Sequence, residues 1–346
     1  MLTGACALVP AAPSAQPQQS KQNRAPRLAS ILTVLSALVT ACPSAHAALA
    51  FSSGYSGTTA YTHSNSDDIY SYDWGSDGKI YLGAINSSYK SGGIYSYDGS
   101  STSTIQAASN TYAGASVVAI GSSIYFNDAD FNSKIYRYNI GSSVTTSVSA
   151  TNYSLGTDGN NLITTGSSDY VTTHLNYYAG GALAGAIDLG GIEGSSGPAA
   201  FDMAGNLFYA PGYGDPSIYR WSAIEVAAAV LGSGSPPLTA GGHQWLNYSS
   251  SFTSASGVGS LLLDPNGNVL VTLTDFTNPS ALVKFSADGS GSFETILTST
   301  DRLGELRLNG GNLYLSETNK IISIIPEPSS TLVALCGFGL FLRRRR

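Results

Sequence analysis

Along residues 48–325 a turn containing Gly or Asn leads again and again into a short apolar run. It reads Asp77-Gly78-Lys79-Ile80-Tyr81-Leu82, then Gly121-Ser122-Ser123-Ile124-Tyr125-Phe126, then Asp158-Gly159-Asn160-Asn161-Leu162-Ile163. It returns as Ala204-Gly205-Asn206-Leu207, Asn266-Gly267-Asn268-Val269 and Gly310-Gly311-Asn312-Leu313. Asn and Gly both tolerate positive φ, so these corners are expected to be type I′ hairpin turns. A second apolar run follows each corner, as in Ile94-Tyr95-Ser96-Tyr97 and Ile218-Tyr219-Arg220-Trp221, and another precedes it, as in Ile69–Trp74 and Glu305–Leu308.

The first apolar residues after the turns are Ile80, Ile124, Leu162, Leu207, Val269 and Leu313, separated by 44, 38, 45, 62 and 44 residues. A period of about 40–45 residues with four strands per unit is the pattern of a β-propeller. A four-stranded blade cannot bury both faces alone, and closing the ring buries each blade against its neighbours and removes free edges. The expected fold is therefore all-β, a six-bladed propeller. Seven blades is the runner-up, although the 62-residue interval is too short to hold a whole extra blade. Ala48–Thr62, carrying Leu49, Phe51, Tyr55 and Tyr61, is left to complete the last blade as its closing strand.

The long interval contains a readable insertion. Ser222-Ala223-Ile224-Glu225 is a capping box, Val226–Val230 continues an Ala-rich helix, and Gly232 is placed to end it. A Pro/Gly/Ser loop follows, with Pro236 and Pro237 at its centre. A short helix on such a connection is expected over one propeller face, as a plug or a lid.

Composition agrees with a β-rich body and adds a sign of charge. The chain has 346 residues with a net charge of −6. Residues 48–325 hold nine Lys and Arg against twenty-one Asp and Glu, a net charge of −12, because the basic residues gather at the two ends. Such a body repels nucleic acid and anionic lipid head groups. All three cysteines (Cys6, Cys42, Cys336) lie outside it, so its stability must come from packing and sheet closure rather than disulfides.

The ends read as addresses. Lys21, Arg24 and Arg27 precede the apolar stretch Leu28–Ala41, and Ala45-His46-Ala47 supplies small residues where a signal peptidase cuts. Residues 1–47 are thus expected to be a signal peptide. Val39-Thr40-Ala41-Cys42 offers a rival, lipobox-like cut that would leave a lipidated Cys42. At the other end, residues 326–346 read Pro326-Glu327-Pro328, an uncharged apolar run, then Arg343, Arg344, Arg345 and Arg346. As a helix the fifteen uncharged residues 328–342 would span roughly 22 Å, a short membrane span with a cytoplasmic arginine stop.

This ordered tail resembles the PEP-CTERM sorting signal of Gram-negative bacteria. The resemblance covers residues 326–346 alone, and the apolar run is short, with Cys336, Gly337 and Gly339 inside it. It implies an exported protein, held in the inner membrane by the tail, processed by exosortase, delivered to the cell surface, and associated with exopolysaccharide and biofilm. The body more loosely resembles the six-bladed NHL and gluconolactonase-like propellers. That resemblance implies a central channel, which in the lactonase-like members holds a divalent metal.

Candidate chemistry inside the body is sparse. His63, His174 and His243 fall in different predicted blades, and no H-E-x-x-H, cysteine cluster, P-loop or G-x-S-x-G is present. Asn127-Asp128-Ala129-Asp130-Phe131-Asn132 places oxygen ligands at alternate positions, so Asp128 and Asp130 are candidates for Ca²⁺, with a polar inter-strand loop as the other reading. Asp67-Asp68 and Asp275 with Asn278 are weaker versions. The Ile-Tyr-x-Tyr strands could stack on sugar or pack between blades, and Gln244-Trp245-Leu246-Asn247-Tyr248 is the expected exposed aromatic patch. Together these features favour a non-enzymatic, monomeric surface module over its rival, a metal-dependent propeller hydrolase. Its partners would be signal peptidase, exosortase and exopolysaccharide.

Overall fold

The computed structural model describes residues 49–64, 66–86, 91–109, 113–128, 134–169, 171–232, 237–252, 257–274 and 280–327. They form six antiparallel sheets, each a blade. Blade 1 is β3 (Asp68–Trp74), β4 (Ile80–Ile85), β5 (Gly92–Tyr97) and β6 (Thr102–Ser109). Blade 2 is β7 (Ala113–Ile120), β8 (Ser123–Asp128), β9 (Lys134–Asn139) and β10 (Thr145–Ser149). Blade 3 is β11 (Ser154–Thr157), β12 (Leu162–Gly166), β13 (Thr172–Tyr178) and β14 (Ile187–Glu193). Blade 4 is β15 (Ala199–Phe201), β16 (Leu207–Tyr209), β17 (Ser217–Trp221) and β18 (Gln244–Asn247), with helix α1 (Ala223–Leu231) between its last two strands. Blade 5 is β19 (Gly257–Leu263), β20 (Val269–Thr274), β21 (Ser280–Phe285) and β22 (Phe293–Ser299). Blade 6 is β23 (Leu303–Asn309), β24 (Asn312–Glu317) and β25 (Lys320–Pro326), completed by β2 (Tyr55–Thr62) from the start of the chain.

The six-bladed ring expected from the repeat is present. The first strand of each blade is innermost, and β3, β7, β11, β15, β19 and β23 pack in succession, with β23 returning to β3. The apolar run after each corner is the second strand. Every residue of β4, β12 and β16 is buried. A strand sandwiched between two neighbouring blades has no solvent face, so it reads as a continuous apolar run rather than an alternation. Each of its Leu or Ile side chains contributes roughly 1.5–3 kcal/mol of burial.

The corners differ from expectation. At residues 202–206 Gly205 N donates to Asp202 O (3.0 Å) and Asp202 N donates to Asn206 O (3.0 Å), and only Gly205 has positive φ (82°). This is a type I turn closed by a glycine bulge, and residues 264–268 repeat it. Among the described two-residue connections only Gly310-Gly311 (φ 58° and 80°) has positive φ at both residues. Asn206 serves by its side chain instead. Its Nδ2 donates to Asp202 Oδ2 (2.7 Å), and its Oδ1 accepts from Ala223 N (3.0 Å), tying the corner to the start of α1.

Helix α1 has its expected caps. Ser222 and Glu225 form the capping box, and Gly232 ends the helix in the left-handed region (φ 63°). Its position is neither plug nor lid. Val226 and Ala229 pack with Leu189 and Ile192 of β14 and with Trp221 and Leu238. Leu238 N donates to Leu189 O (2.7 Å). The insertion buttresses the outer edges of blades 3 and 4, where an unpaired strand edge would otherwise face water.

The closing segment is shared by two blades. β1 (Ala50–Phe51) pairs with β22 on the outer edge of blade 5. The chain then turns at Gly54 (φ 93°), and β2 pairs with β25 from Tyr55 opposite Pro326 to Thr62 opposite Lys320. β25 thus runs one residue past Ile325, and the ladder ends at Pro326, which has no N–H to extend it. Glu327 N donates to Gly54 O (2.8 Å), tying the end of β25 to the turn between β1 and β2. Both lie on the face of the corner turns, toward which β25 and every inner strand run, whereas Ala50, opposite Thr298, starts β1 near the other face.

Candidate functional site

The central channel carries the densest charge. In β3, Ser71 and Asp73 stand two residues apart on one face, and Glu305 and Arg307 do the same in β23. Arg307 Nη1 donates to Glu305 Oε1 (2.6 Å), its Nη2 donates to Val117 O (2.8 Å), and its Nε lies 3.7 Å from Asp73 Oδ2. Less than a fifth of each of the three charged side chains is exposed: 16% for Arg307, 14% for Glu305 and 19% for Asp73. Burial raises the Asp73 carboxyl above its ordinary range, against the pull of Arg307 and of the Ala119 and Trp74 amides. Burial also opposes the guanidinium charge, but Glu305 and Asp73 outweigh it and raise the Arg307 pKa.

A belt of serines prepares this cluster. Ser71, Ser116 and Ser260, on β3, β7 and β19, each accept an amide from the next blade's inner strand: Val117 N (2.9 Å), Leu155 N (2.9 Å) and Leu306 N (3.0 Å). Glu305 holds the corresponding place in blade 6. It accepts from Ser260 Oγ at 2.8 Å and from Ser71 Oγ at 3.1 Å, so one carboxylate bridges blades 5 and 1. The two channel carboxylates are therefore already occupied by a guanidinium, hydroxyls and amides. A divalent cation here would face the Arg307 charge directly, so the arrangement suits a cross-blade lock rather than metal-assisted hydrolysis. Among the described residues no three His, Cys, Asp or Glu side chains group to hold a metal.

The sequence candidates are dispersed. Asp128 ends β8 opposite Lys134, and Asp130 lies outside the described residues, as do Asp275 and Asn278. Asn127 is fully buried and committed to backbone, accepting from Ser116 N (2.8 Å) and donating to Tyr153 O (2.8 Å). Asp68 opens β3 at the channel mouth, its carboxyl raised by burial and opposed by Arg302, whose guanidinium lies 3.8 Å over the Tyr70 ring. Pro326 and Glu327 are placed at the exit from β25, whereas Pro328, Arg343–Arg346, Cys42, Ala45 and Ala47 lie outside the described residues.

The three histidines stay apart. His63 is buried beside the ring closure, its Nδ1 3.0 Å from Tyr61 Oη and its ring 4.7 Å from Tyr95. His174 pairs with Asp188 (3.0 Å) on blade 3. His243 pairs with Glu225 (2.9 Å) beside the α1 cap.

The strand tyrosines pack between blades. Tyr97 packs at a tilt on Tyr61 of blade 6 (4.4 Å between centroids), and Tyr136 stacks on Phe126 of its own blade (5.0 Å) in the cluster that includes Tyr81 and Ile94 of blade 1. The expected exposed patch at residues 244–248 is a correction: Trp245 packs edge-on against Phe208 and Tyr248 is 1% exposed. Phe293 is 45% exposed at the start of β22, and a separate exposed group is formed by Tyr153 and Tyr213, with Val171, at 49%, 56% and 62% exposure. They sit on the face opposite Pro326 and Glu327, in the connections into β11, β17 and β13. Hydrogen bonds link part of this surface: Gly194 N to Val171 O, and Ser195 Oγ to Tyr213 O. Tyr153 and Tyr213 each follow small and polar residues, Thr151-Asn152 and Pro211-Gly212, which conceals them in the sequence.

No protein-family model matches the chain, and no curated protein matches it in sequence. Solved structures do match in fold. A Trichoderma reesei protein of Carbohydrate-Active Enzymes Family AA12, in its iodide structure, aligns with TM-score 0.55 at 12% identity, over 81% of this chain and 98% of its own. The calcium structure of the same family gives 0.54 at 12%, over 81% and 97%. A Bacteroides thetaiotaomicron protein of unknown function gives 0.50 at 13%, over 81% and 76%. At these identities the likeness is one of fold. Among the described residues no helix is long and apolar enough to cross a membrane.

Proposed function

We propose that this chain is an exported surface protein of a Gram-negative bacterium, sorted by a PEP-CTERM tail, whose propeller is a binding or structural module of the extracellular matrix. In this reading signal peptidase removes residues 1–47, the tail holds the precursor in the inner membrane, and exosortase processes it. The partner of the delivered protein is exopolysaccharide, in a biofilm.

The observation that carries the reading is the hydrogen bond from Glu327 N to Gly54 O. The C-terminal end of the ring leaves on the corner-turn face, where the Pro326-Glu327-Pro328 motif starts. The opposite face, with Tyr153, Val171 and Tyr213, then points away from the anchoring membrane. Exposed aromatics beside hydroxyl and amide groups suit weak, repeated contact with a matrix polymer. The rival hydrolase reading is disfavoured by Arg307, which occupies the channel carboxylates such an enzyme would offer a metal.

The test is intact-mass analysis of the native surface protein alongside Glu327→Ala and a deletion of Arg343–Arg346. Both variants are expected to accumulate as unprocessed, membrane-held precursor. An unchanged mature mass and location in both would refute the sorting assignment.

A further inference from the structure

We infer that a groove on the flank of blade 3 is a binding site for a single neutral sugar ring, a terminal or branch unit of a glycan. This inference rests on the binding-module reading above and gives it a ligand class. The groove has a volume of about 250 Å³ and lies where β13 faces blade 2. That is slightly below the usual range of small-molecule sites, roughly 300–1,000 Å³, so it fits one ring rather than a long ligand.

Its lining has an unusual chemical balance. Thr151 comes from the connection out of blade 2, Ser168 from the loop after β12, and His174 and Asn176 from β13. Their side chains meet on one concavity because residues 174, 176 and 178 share one face of the strand. Tyr178, buried against the blade 2 core, forms the floor, and Ala186 keeps one wall low. His174 Nδ1 is engaged by Asp188 Oδ2 at 3.0 Å, which fixes the ring, and its Nε2 has no hydrogen-bond partner among the described residues. Thr151, Ser168 and Asn176 make no side-chain hydrogen bond within the described residues. Among the described residues no carboxylate or ammonium group lines the groove, and the Asp188 carboxylate meets it only through His174.

Two hydroxyls, a carboxamide and an oriented imidazole nitrogen supply both donors and acceptors without net charge. That matches the alternating hydroxyls of a pyranose. It does not match a phosphate or uronate, which would need a cation, or an apolar ligand, which would leave four polar groups unpaired.

The test uses the purified full chain in detergent micelles and saturation-transfer NMR. The probes are glucose, galactose, mannose and N-acetylglucosamine, with glucuronate as the charged comparison. At least one neutral sugar is expected to receive saturation, with a Kd of about 1 mM. Asn176→Leu and Ser168→Val should each weaken it about tenfold. Ser168 is exposed in a loop, so its variant tests the site even if Asn176→Leu perturbs β13. Absence of transfer from every neutral sugar, preference for glucuronate, or full retention in Ser168→Val would overturn the assignment. Processing of the tail is read separately by mass, so a failed groove and a failed sorting signal give different results.

Discussion

Arg307 Nη2, on the inner strand of blade 6, donates to the carbonyl of Val117, on the inner strand of blade 2, at 2.8 Å. The bond passes over blade 1, whose Asp73 lies 3.7 Å from the same guanidinium. Arg307→Met would leave Asp73 and Glu305 buried beside one another without their cation. Breaking one partner of a buried pair costs about 3–5 kcal/mol, whereas replacing the whole set by neutral groups is close to neutral. Urea unfolding should therefore show a large loss for Arg307→Met and substantial recovery when Glu305→Gln and Asp73→Asn are added. A wild-type midpoint for Arg307→Met would show that the channel cluster is not a lock.

His63 makes ring closure sensitive to acid. It is 1% exposed, Tyr61 and Tyr95 flank it, and burial lowers its pKa below 6.5, with Asp67 pulling weakly the other way. The unfolded chain therefore binds a proton that the folded chain resists. Its contribution to stability is complete above pH ~6.5 and declines as pH falls below that value. His63→Phe keeps an aromatic ring in the site and removes the titration. The drop in urea midpoint between pH 7.5 and 5.5 should be smaller in this variant, and an equal drop in both proteins would assign the effect elsewhere.

The α1 cap behaves as a local unit. Ser222 holds the Glu225 carboxyl down at about 2, with His243 adding to the effect. Glu225 is depressed in the folded state, so its contribution is present above its ordinary pKa and disappears as pH falls toward 2. Ser222→Ala should cost about 1 kcal/mol at neutral pH. The loss should appear in hydrogen exchange of residues 223–232 as well as in the global midpoint.

Removal of residues 49–62 tests closure directly. The deletion exposes β25, including Ile321 and Ile324, and uncovers the edge of β22. Exposed apolar edges pair with other chains. The truncated protein should elute as soluble aggregate in size-exclusion chromatography, while the same residues placed after β25 through a linker restore the monomer. A monomeric, cooperatively folding truncation would rule out a closing role.

The parts legible in the sequence were those with a local signature. The second strands, such as Ile80–Ile85 and Val269–Thr274, are buried on both faces and carry unbroken apolar runs. Outer strands such as Thr145–Ser149 are mostly exposed and polar, so only the repeat length implied them. The corner positions were visible, but Asn206 and Asn268 act through side chains rather than through positive φ, and composition cannot separate the two. The channel cluster was hidden for a different reason. Glu305 and Ser71 are 234 residues apart and meet only when the ring closes. The one available hint was two pairs of polar i, i+2 positions, Ser71-x-Asp73 and Glu305-x-Arg307, interleaved with apolar residues.

The pairing of β2 with β25 also sets an order of events. The strand made first among the ring's own must wait for the strand made last, Lys320–Pro326. Such a long-range contact is slow to form, and until it does, β2 has no partner in its blade. A polypeptide interrupted anywhere before Lys320 remains an open arc and also lacks Pro326 and Glu327. Completion of the ring and the appearance of Pro326 and Glu327 are thus coupled in time, so only a full-length copy both closes its last blade and carries these two residues.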